Sequence, residues 1–472
     1  MAHDHLILAV TYWPTGSTVS GWRTRAAYNG GVFKPGLLID AARTAERGVF
    51  DYFFLGNSYF SDRSQPGSVV RRSFQLNGFA TAAFLAPHTR HIGLMATINT
   101  VFLEPFHVAQ IAASIDHLSE GRFGLNLVTG VANDPSYRNF SLAGHPESAD
   151  KYARASEFAL AFNQLQDSWG DDWLLDDRES GRLVDPDAAR PIDFDGEFFQ
   201  IEGPLNAPRP PQGRIPLATA GTSPESLEFA GRFADVRFSP FVSLAWNQEY
   251  RARNRATAQA FGRDADALKI VVGTVFYTGD TVAEARRIFR EVEEAVVEDF
   301  GPQLVARTLG IDAAQLTPHG RVVDVLGLDV LEHDGSFDIG VNEHQTIGAN
   351  GISLNLREVF EAYGSTDVTF LDLFRFLVNK NHFPVVVGDR HRIADWIQEG
   401  YEAQAFDGVK FFPPFQRQPF DAFVDQVVPE LQRRGLARKS YDTSTFRAHL
   451  GLDRAERAPS AASAQEPVDV HG

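Results

Sequence analysis

Two stretches of this chain place small hydroxyl and glycine residues where strands end. In 116–130, DHLSEGRFGLNLVTG, a helical pattern closes at Leu118, Ser119-Glu120-Gly121 makes a turn, and a strand stops at Thr129-Gly130. In 214–226, RIPLATAGTSPES, a strand breaks at Gly221. A helix then opens on Thr222-Ser223-Pro224-Glu225, with a hydroxyl at the cap and proline at the first helical position. Such a strand end offers open backbone N–H groups beside the positive end of a helix, so Gly221, Thr222 and Ser223 suit a phosphate. Taken alone, the same turn is more often a plain N-cap. Tyr152 and Arg154 fall in the first turn of the neighbouring helix, where a tyrosine could close over a phosphate or simply pack. Asn57, Asn99 and Thr129 follow three neighbouring strands. Their neutral donors and acceptors suit a heteroaromatic ring and need no acid or base; loop capping is the plain alternative.

Other chemistries find less support. His3-x-His5 precedes the first strand, on the side of a barrel that carries stability rather than catalysis. No further His or Asp set stands at the strand ends, so no metal is expected. His107 reads as a capping or core histidine, or as one lining the site. Neither a Ser-His-Asp order nor a carboxylate pair marks the strand ends, which argues against hydrolysis and leaves the catalytic residues unassigned.

Elements must hold these positions together, and the hydrophobic pattern supplies them. Short apolar runs at 6–12, 51–55, 91–98, 122–128, 215–220, 235–239, 269–277 and 408–412 read as strands, each followed by a helical pattern. That is the pattern of parallel strands covered by helices, and eight of them close a (β/α)8 TIM barrel, an α/β fold; a doubly wound open sheet is the alternative. Thr281 with Glu284 reads as a capping box. Residues 1–454 are then one barrel domain with long insertions at about 170–212 and 301–382, and the Ala/Ser/Pro/Glu-rich 455–472 reads as a disordered tail.

The net charge of −17, from 44 basic and 61 acidic residues, argues against nucleic acid or an anionic membrane as partner. The absence of cysteine excludes disulfides and thiolate metal sites. No run approaches the ~20 apolar residues of a membrane span, and the first residues carry no basic leader, so a cytoplasmic enzyme is expected.

Taken in order, a longer series of motifs resembles the flavin-dependent monooxygenases of the bacterial luciferase-like superfamily. The nearest group is that of the nitrilotriacetate, EDTA and dibenzothiophene-sulfone monooxygenases. The series runs from Trp22-Arg23 through Glu104-Pro105-Phe106-His107, Asp116-His117-Leu118-Ser119-Glu120-Gly121-Arg122, Arg138-Asn139-Phe140 and Tyr152-Ala153-Arg154-Ala155. It continues in Pro208-Arg209-Pro210-Pro211-Gln212-Gly213, Ala220-Gly221-Thr222-Ser223, Asp407-Gly408 and Val428-Pro429-Glu430-Leu431. The resemblance implies a dimeric barrel that binds reduced FMN (FMNH2) from a separate NAD(P)H:flavin reductase and uses O2 on a small organic substrate. It implies that Asn57, Thr97, Tyr152, Thr222 and Ser223 contact FMN, with Asn126 and Thr129 close by. Asn57, Gly130 and Ser148 stand where the family commonly has Asp, Ser and His, which points to a subgroup with its own substrate. Because reduced flavin reacts with O2 itself, the protein needs to hold the ring, exclude water and supply walls. Tyr12, Trp13, Trp22 and Tyr59 are the expected walls. A deazaflavin-dependent hydride-transfer enzyme and a non-catalytic flavin-binding relative are the alternatives.

Overall fold

The computed structural model describes residues 5–27, 33–61, 75–130, 135–144, 146–333, 336–339, 345–347, 353–380 and 383–458. Eight parallel strands close a barrel: β1 (Ile7–Tyr12), β2 (Tyr52–Leu55), β3 (Gly93–Asn99), β4 (Phe123–Val128), β5 (Leu217–Ala220), β6 (Val236–Ser239), β7 (Lys269–Thr278) and β8 (Gly408–Phe411). Each pairs with its neighbours in chain order, and β8 returns to β1 with Ile7 opposite Gly408. These are the eight strands the apolar runs predict, closed rather than open.

One strand beyond the predicted eight joins the barrel sheet. Val385–Gly388, from the run Pro384-Val385-Val386-Val387, pairs with the outer half of β7, Val275–Thr278. β7 can serve both neighbours because it is ten residues long: its inner half pairs with β8 and its outer half rises beyond the barrel.

Helices α1 (Pro35–Arg47), α2 (Gly78–Leu85), α3 (Pro105–Leu118), α4 (Ser148–Gln166), α5 (Pro224–Phe233), α6 (Leu244–Ala260) and α7 (Val282–Glu294) follow the first seven strands. The Thr281 hydroxyl caps α7 at the Glu284 amide, but the Glu284 carboxylate returns to the amide of Asp280, one residue short of a full capping box. Strand alternation sends Leu8, Val10 and Tyr12 outward into the helix layer and Ile7, Ala9, Tyr52, Phe54, Met95, Val236 and Phe238 into the bore. A short helix, Phe446–His449, closes the base. The Phe446 ring lies so near Gly93 and Gly124 that a Cβ on Gly124 would stand 2.3 Å from it, which is why both positions need glycine. The bore is therefore open at the C-terminal ends of the strands.

The first insertion forms two small hairpins, Leu174–Asp177 with Arg182–Val184 and Phe194–Asp195 with Gln200–Ile201. Buried Arg209 ties it down to Asp167 and Asp171. The second insertion brings helices Pro302–Leu309, Leu356–Tyr363 and Phe370–Asn379 onto α7 around Phe289, Phe360 and Phe376, a second apolar cluster. The chain past 454 stays attached: the Ala455 carbonyl accepts from Arg209, the Arg457 Nε donates to the Asp167 carbonyl and the Ala458 amide donates to the Asp167 carboxylate. Residues 455–458, expected at the start of a disordered tail, are thus held by these bonds, and 459–472 lie outside the described residues, as does His3. No helix among the described residues is long and apolar enough to cross a membrane.

Candidate active site

The rim at β5 is built from the sequence upward. β5 ends at Ala220, Gly221 takes φ +131°, and Ser223 caps α5 by accepting the Ser226 amide at 3.2 Å. The backbone amides of Thr222 and Ser223 have no acceptor among the described residues. A Cβ on Gly221 would stand 2.3 Å from Ser226 Oγ and 3.3 Å from the Tyr152 hydroxyl, so glycine lets that tyrosine close over the turn. Tyr152 and Ser223 therefore share one rim. Lys151 crosses from α4 to the end of β4, donating to the Gly130 carbonyl at 3.1 Å.

Beneath the turn lies a residue that the strand pattern did not single out. Arg237 on β6 is fully buried. Its Nε donates to the Tyr250 hydroxyl (2.7 Å), Nη1 to the Ser226 carbonyl (2.7 Å), and Nη2 to the Gly221 carbonyl (2.7 Å) and Ser226 Oγ (2.9 Å). Among the described residues no carboxylate pairs with it. The guanidinium thus shapes the turn and leaves an unneutralised positive charge behind it, a cost that an anion at the rim would offset. The turn already holds one: the exposed Glu225 carboxylate takes the Ser223 hydroxyl and its own amide, which lower its pKa, with a smaller contribution from Lys151. A carboxylate standing there shows what charge the turn accepts.

The floor is polar next to this rim. Thr97 and Asn126 sit opposite one another on β3 and β4, both buried, and the Asn126 amide donates to Thr97 Oγ1 at 3.2 Å. Among the described residues Asn126 Oδ1 has no partner, nor has Thr11 Oγ1. Buried acceptors of this kind are normally satisfied, so a ligand with donors fits there. Thr129 is buried at the end of β4.

Aromatic side chains wall the mouth. The Tyr59 ring meets Phe102 and Phe140 edge-on, and those two stack at 4.6 Å. Burial raises the Tyr59 pKa, and the Asn99 backbone and Asn57 side chain beside its hydroxyl offset part of that rise. Trp13 lies 5.5 Å from Phe412, and a Cβ on Gly56 would stand 3.1 Å from its indole nitrogen.

Four other expected positions are not brought to this cluster. Tyr12 is the last residue of β1 and points outward onto Phe53 at 5.8 Å, because alternation gives the inward place to Thr11. Trp22, about half exposed, rides on a loop tied to the end of α7 through Ser20 and Arg25. His107 is exposed on the first turn of α3, neither cap nor core. Arg154 spends its donors on the Thr100 carbonyl (3.2 Å) and Glu104 (3.3 Å) and lies 4.3 Å over Phe199, so it braces the loop after β3 rather than the turn at Gly221. His5 stands 3.5 Å from Asp51 at the base of the barrel.

The DHLSEGR motif also proves to be architecture at the base. Buried Asp116 accepts from Gln212 (2.6 Å) and the Phe123 amide (3.1 Å); burial pushes its pKa up to about 7 despite those bonds. Arg122 donates to the carbonyls of Ala86, Thr89, Ile92 and Ser119.

Comparison with known proteins matches this geometry to a family. The model described as luciferase-like monooxygenase covers residues 15–407. The N-acetyl-S-(2-succino)cysteine monooxygenase of Bacillus subtilis (strain 168) is 31% identical over 440 residues, 93% of this chain and 95% of that protein. The nitrilotriacetate monooxygenase component A of Aminobacter aminovorans is 33% identical over 463 residues, 96% and 98% respectively. Among solved structures, the EDTA monooxygenase from Chelativorans sp. BNC1 superposes with a TM-score of 0.75 at 26% identity, covering 96% of this chain and 100% of that one. A riboflavin lyase with modified FMN and substrate riboflavin gives 0.75 at 25% identity, covering 97% and 99%.

Proposed function

The chain belongs to the luciferase-like monooxygenase family and is an oxidoreductase of that kind; from that premise we propose that it is the oxygenase of a two-component system. In this reading a cytoplasmic homodimer takes FMNH2 from a separate flavin reductase and inserts one atom of O2 into a small organic molecule beside nitrogen, sulfur or a carbonyl. The observation that carries the reading is the turn at Gly221: open amides, a helix N-terminus and a buried arginine with no carboxylate of its own. The phosphate would rest on Thr222 and Ser223, with the Tyr152 hydroxyl closing over it. Asn126 and Thr97 would meet the ring, and Asn57 and Thr129 border it. The relative whose structure carries modified FMN and riboflavin supports a flavin in this fold.

A bound reduced flavin supplies the activation of O2. The chain's own part is positioning and exclusion: the rim fixes the anion, the amide at Asn126 orients the ring edge, and the walls of Trp13, Tyr59, Phe102 and Phe140 keep water from the reacting face. The relatives named for nitrilotriacetate and N-acetyl-S-(2-succino)cysteine, which carry nitrogen and sulfur beside carboxylates, support a substrate of that general class. The test is incubation with FMN, NADH, a generic flavin reductase and a panel of amines, thioethers and ketones. The expected result is O2-dependent product differing from substrate by one oxygen atom, or by the cleavage such an insertion triggers. Product formed without O2 would refute the reading.

A further inference from the structure

Lys410 stands in the floor of the barrel mouth, away from the phosphate rim. It is on β8, 4% exposed, with Ala9 of β1 and Gly273 of β7 as its register partners. Its Nζ lies 3.3 Å from the ring centroid of Phe238, 3.9 Å from that of Phe54 and 5.1 Å from that of Phe412. Phe54 and Phe238 meet edge-on at 5.1 Å, and Phe412 is stacked on Phe383 at 3.9 Å. Following the strand registers around the barrel two strands at a time places Asn126 in the same layer as Phe54, Phe238 and Lys410. The next layer toward the mouth comes from Thr11, Thr97, Ala220 and Gly273; the stacked rings of Phe412 and Phe383 cover the Gly273 side, and small residues line the side of Thr11, Thr97 and Ala220.

That layer is built oddly for a structural floor. Among the described residues Lys410 makes no hydrogen bond and no ion pair, and no element around it contributes a carboxylate. Burial alone pushes its pKa well below the ordinary lysine range. The aromatic faces favour an ammonium between them, yet only an anion close by would restore it fully. In the same layer, Asn126 Oδ1 has no partner among the described residues either. An amine held against ring faces and an unpartnered amide oxygen thus share one layer beneath the mouth, where a planar ring with acceptor and donor edges would complete them.

We propose, on the basis of the flavin reading above, that Lys410 is the residue by which this site prefers a reduced, anionic flavin ring to the oxidised, neutral one. A proton from solvent joins Nζ as the anion binds, and no other bond changes. In a two-component enzyme that selectivity matters, because the site must capture the reduced carrier in the presence of its oxidised form.

The experiment measures dissociation constants of oxidised FMN and of anaerobically reduced FMN for the wild-type protein, Lys410→Met and Lys410→Gln. The wild type is expected to favour the reduced form by about tenfold or more, equivalent to about 1.4 kcal/mol. Lys410→Met, unbranched and of similar length, is expected to erase most of that ratio while leaving the oxidised constant within about twofold, as removal of one charge interaction predicts. A ratio unchanged in both variants, or equal loss for both forms, overturns the proposal. Should neither variant fold, calorimetry of the wild type in two buffers of different ionisation enthalpy decides it. At mildly alkaline pH, reduced FMN should bind with uptake of about one more proton than oxidised FMN, and equal uptake overturns it. A wild type that binds neither form refutes the flavin reading itself, a result distinct from an unchanged ratio.

Discussion

Arg237 gives the sharpest test of the rim, because its charge can be separated from its scaffolding. The side chain is wholly buried, donates four hydrogen bonds and has no acidic partner among the described residues. Two unit charges about 7 Å apart at an effective dielectric of about 20 interact by roughly 2 kcal/mol. A phosphate monoester carries about −1.5 to −2 charges at neutral pH, and screening at the open mouth works the other way. A net loss of about 2 kcal/mol, some 30-fold in affinity, is therefore expected for FMN in Arg237→Met. Riboflavin has the same ring and no phosphate, so its constant should move by less than about threefold, the scale of a neutral contact. Arg237→Lys keeps the charge but loses the planar fork that reaches Gly221 and Ser226 together, and should fall between. The assay is fluorescence titration of FMN and of riboflavin against each variant, with thermal unfolding alongside. Equal weakening of both ligands would make Arg237 a mere prop of the turn. No change for FMN would remove the phosphate from this rim.

Glu225→Gln should tighten FMN by about two- to fivefold, the usual scale of an anion at a helix N-terminus, because the native carboxylate holds the Ser223 hydroxyl and the amide that a phosphate would take; weaker binding in the titration would show that Glu225 assists instead. Asp116 keeps its proton up to about pH 7 in the folded chain but releases it near 3.8 when unfolded. Over that window the folded state binds more protons, so this group's contribution to stability falls as pH rises, by on the order of 4 kcal/mol. Asp116→Asn should flatten that part of the profile in urea unfolding at pH 5 and pH 8, and an unchanged slope would clear Asp116 of the effect. Trp13→Ala should reduce turnover of a found substrate without altering FMN affinity beyond about twofold, as expected of a wall residue away from the phosphate; unchanged turnover would take Trp13 out of the substrate wall.

What the sequence made legible and what it hid divide along one physical line. All eight barrel strands were visible because each is a short apolar run buried on both faces, and such runs need no partner to be recognised. The turn at Gly221 was visible because local chemistry specifies it: glycine for φ +131°, serine at the cap, proline after it. Hidden was everything whose meaning depends on the far side of the bore. The strand at 385–388 exists only because β7 overshoots the barrel. Tyr12 faces outward because closure sets its parity. Arg237 and Lys410 are single charges inside apolar strands, Val236-Arg237-Phe238 and Val409-Lys410-Phe411, and each was readable as an anomaly but not as a location. The folded barrel puts them on opposite faces, Arg237 behind the rim and Lys410 in the floor. Only the registers show that these two buried basic side chains flank the same mouth from outside and inside, neither paired with a carboxylate among the described residues. A guanidinium behind the rim and a buried amine in the floor that would take up a proton both favour an anionic occupant, and in the proposed reading the phosphate of a mononucleotide would meet the first and its reduced ring the second.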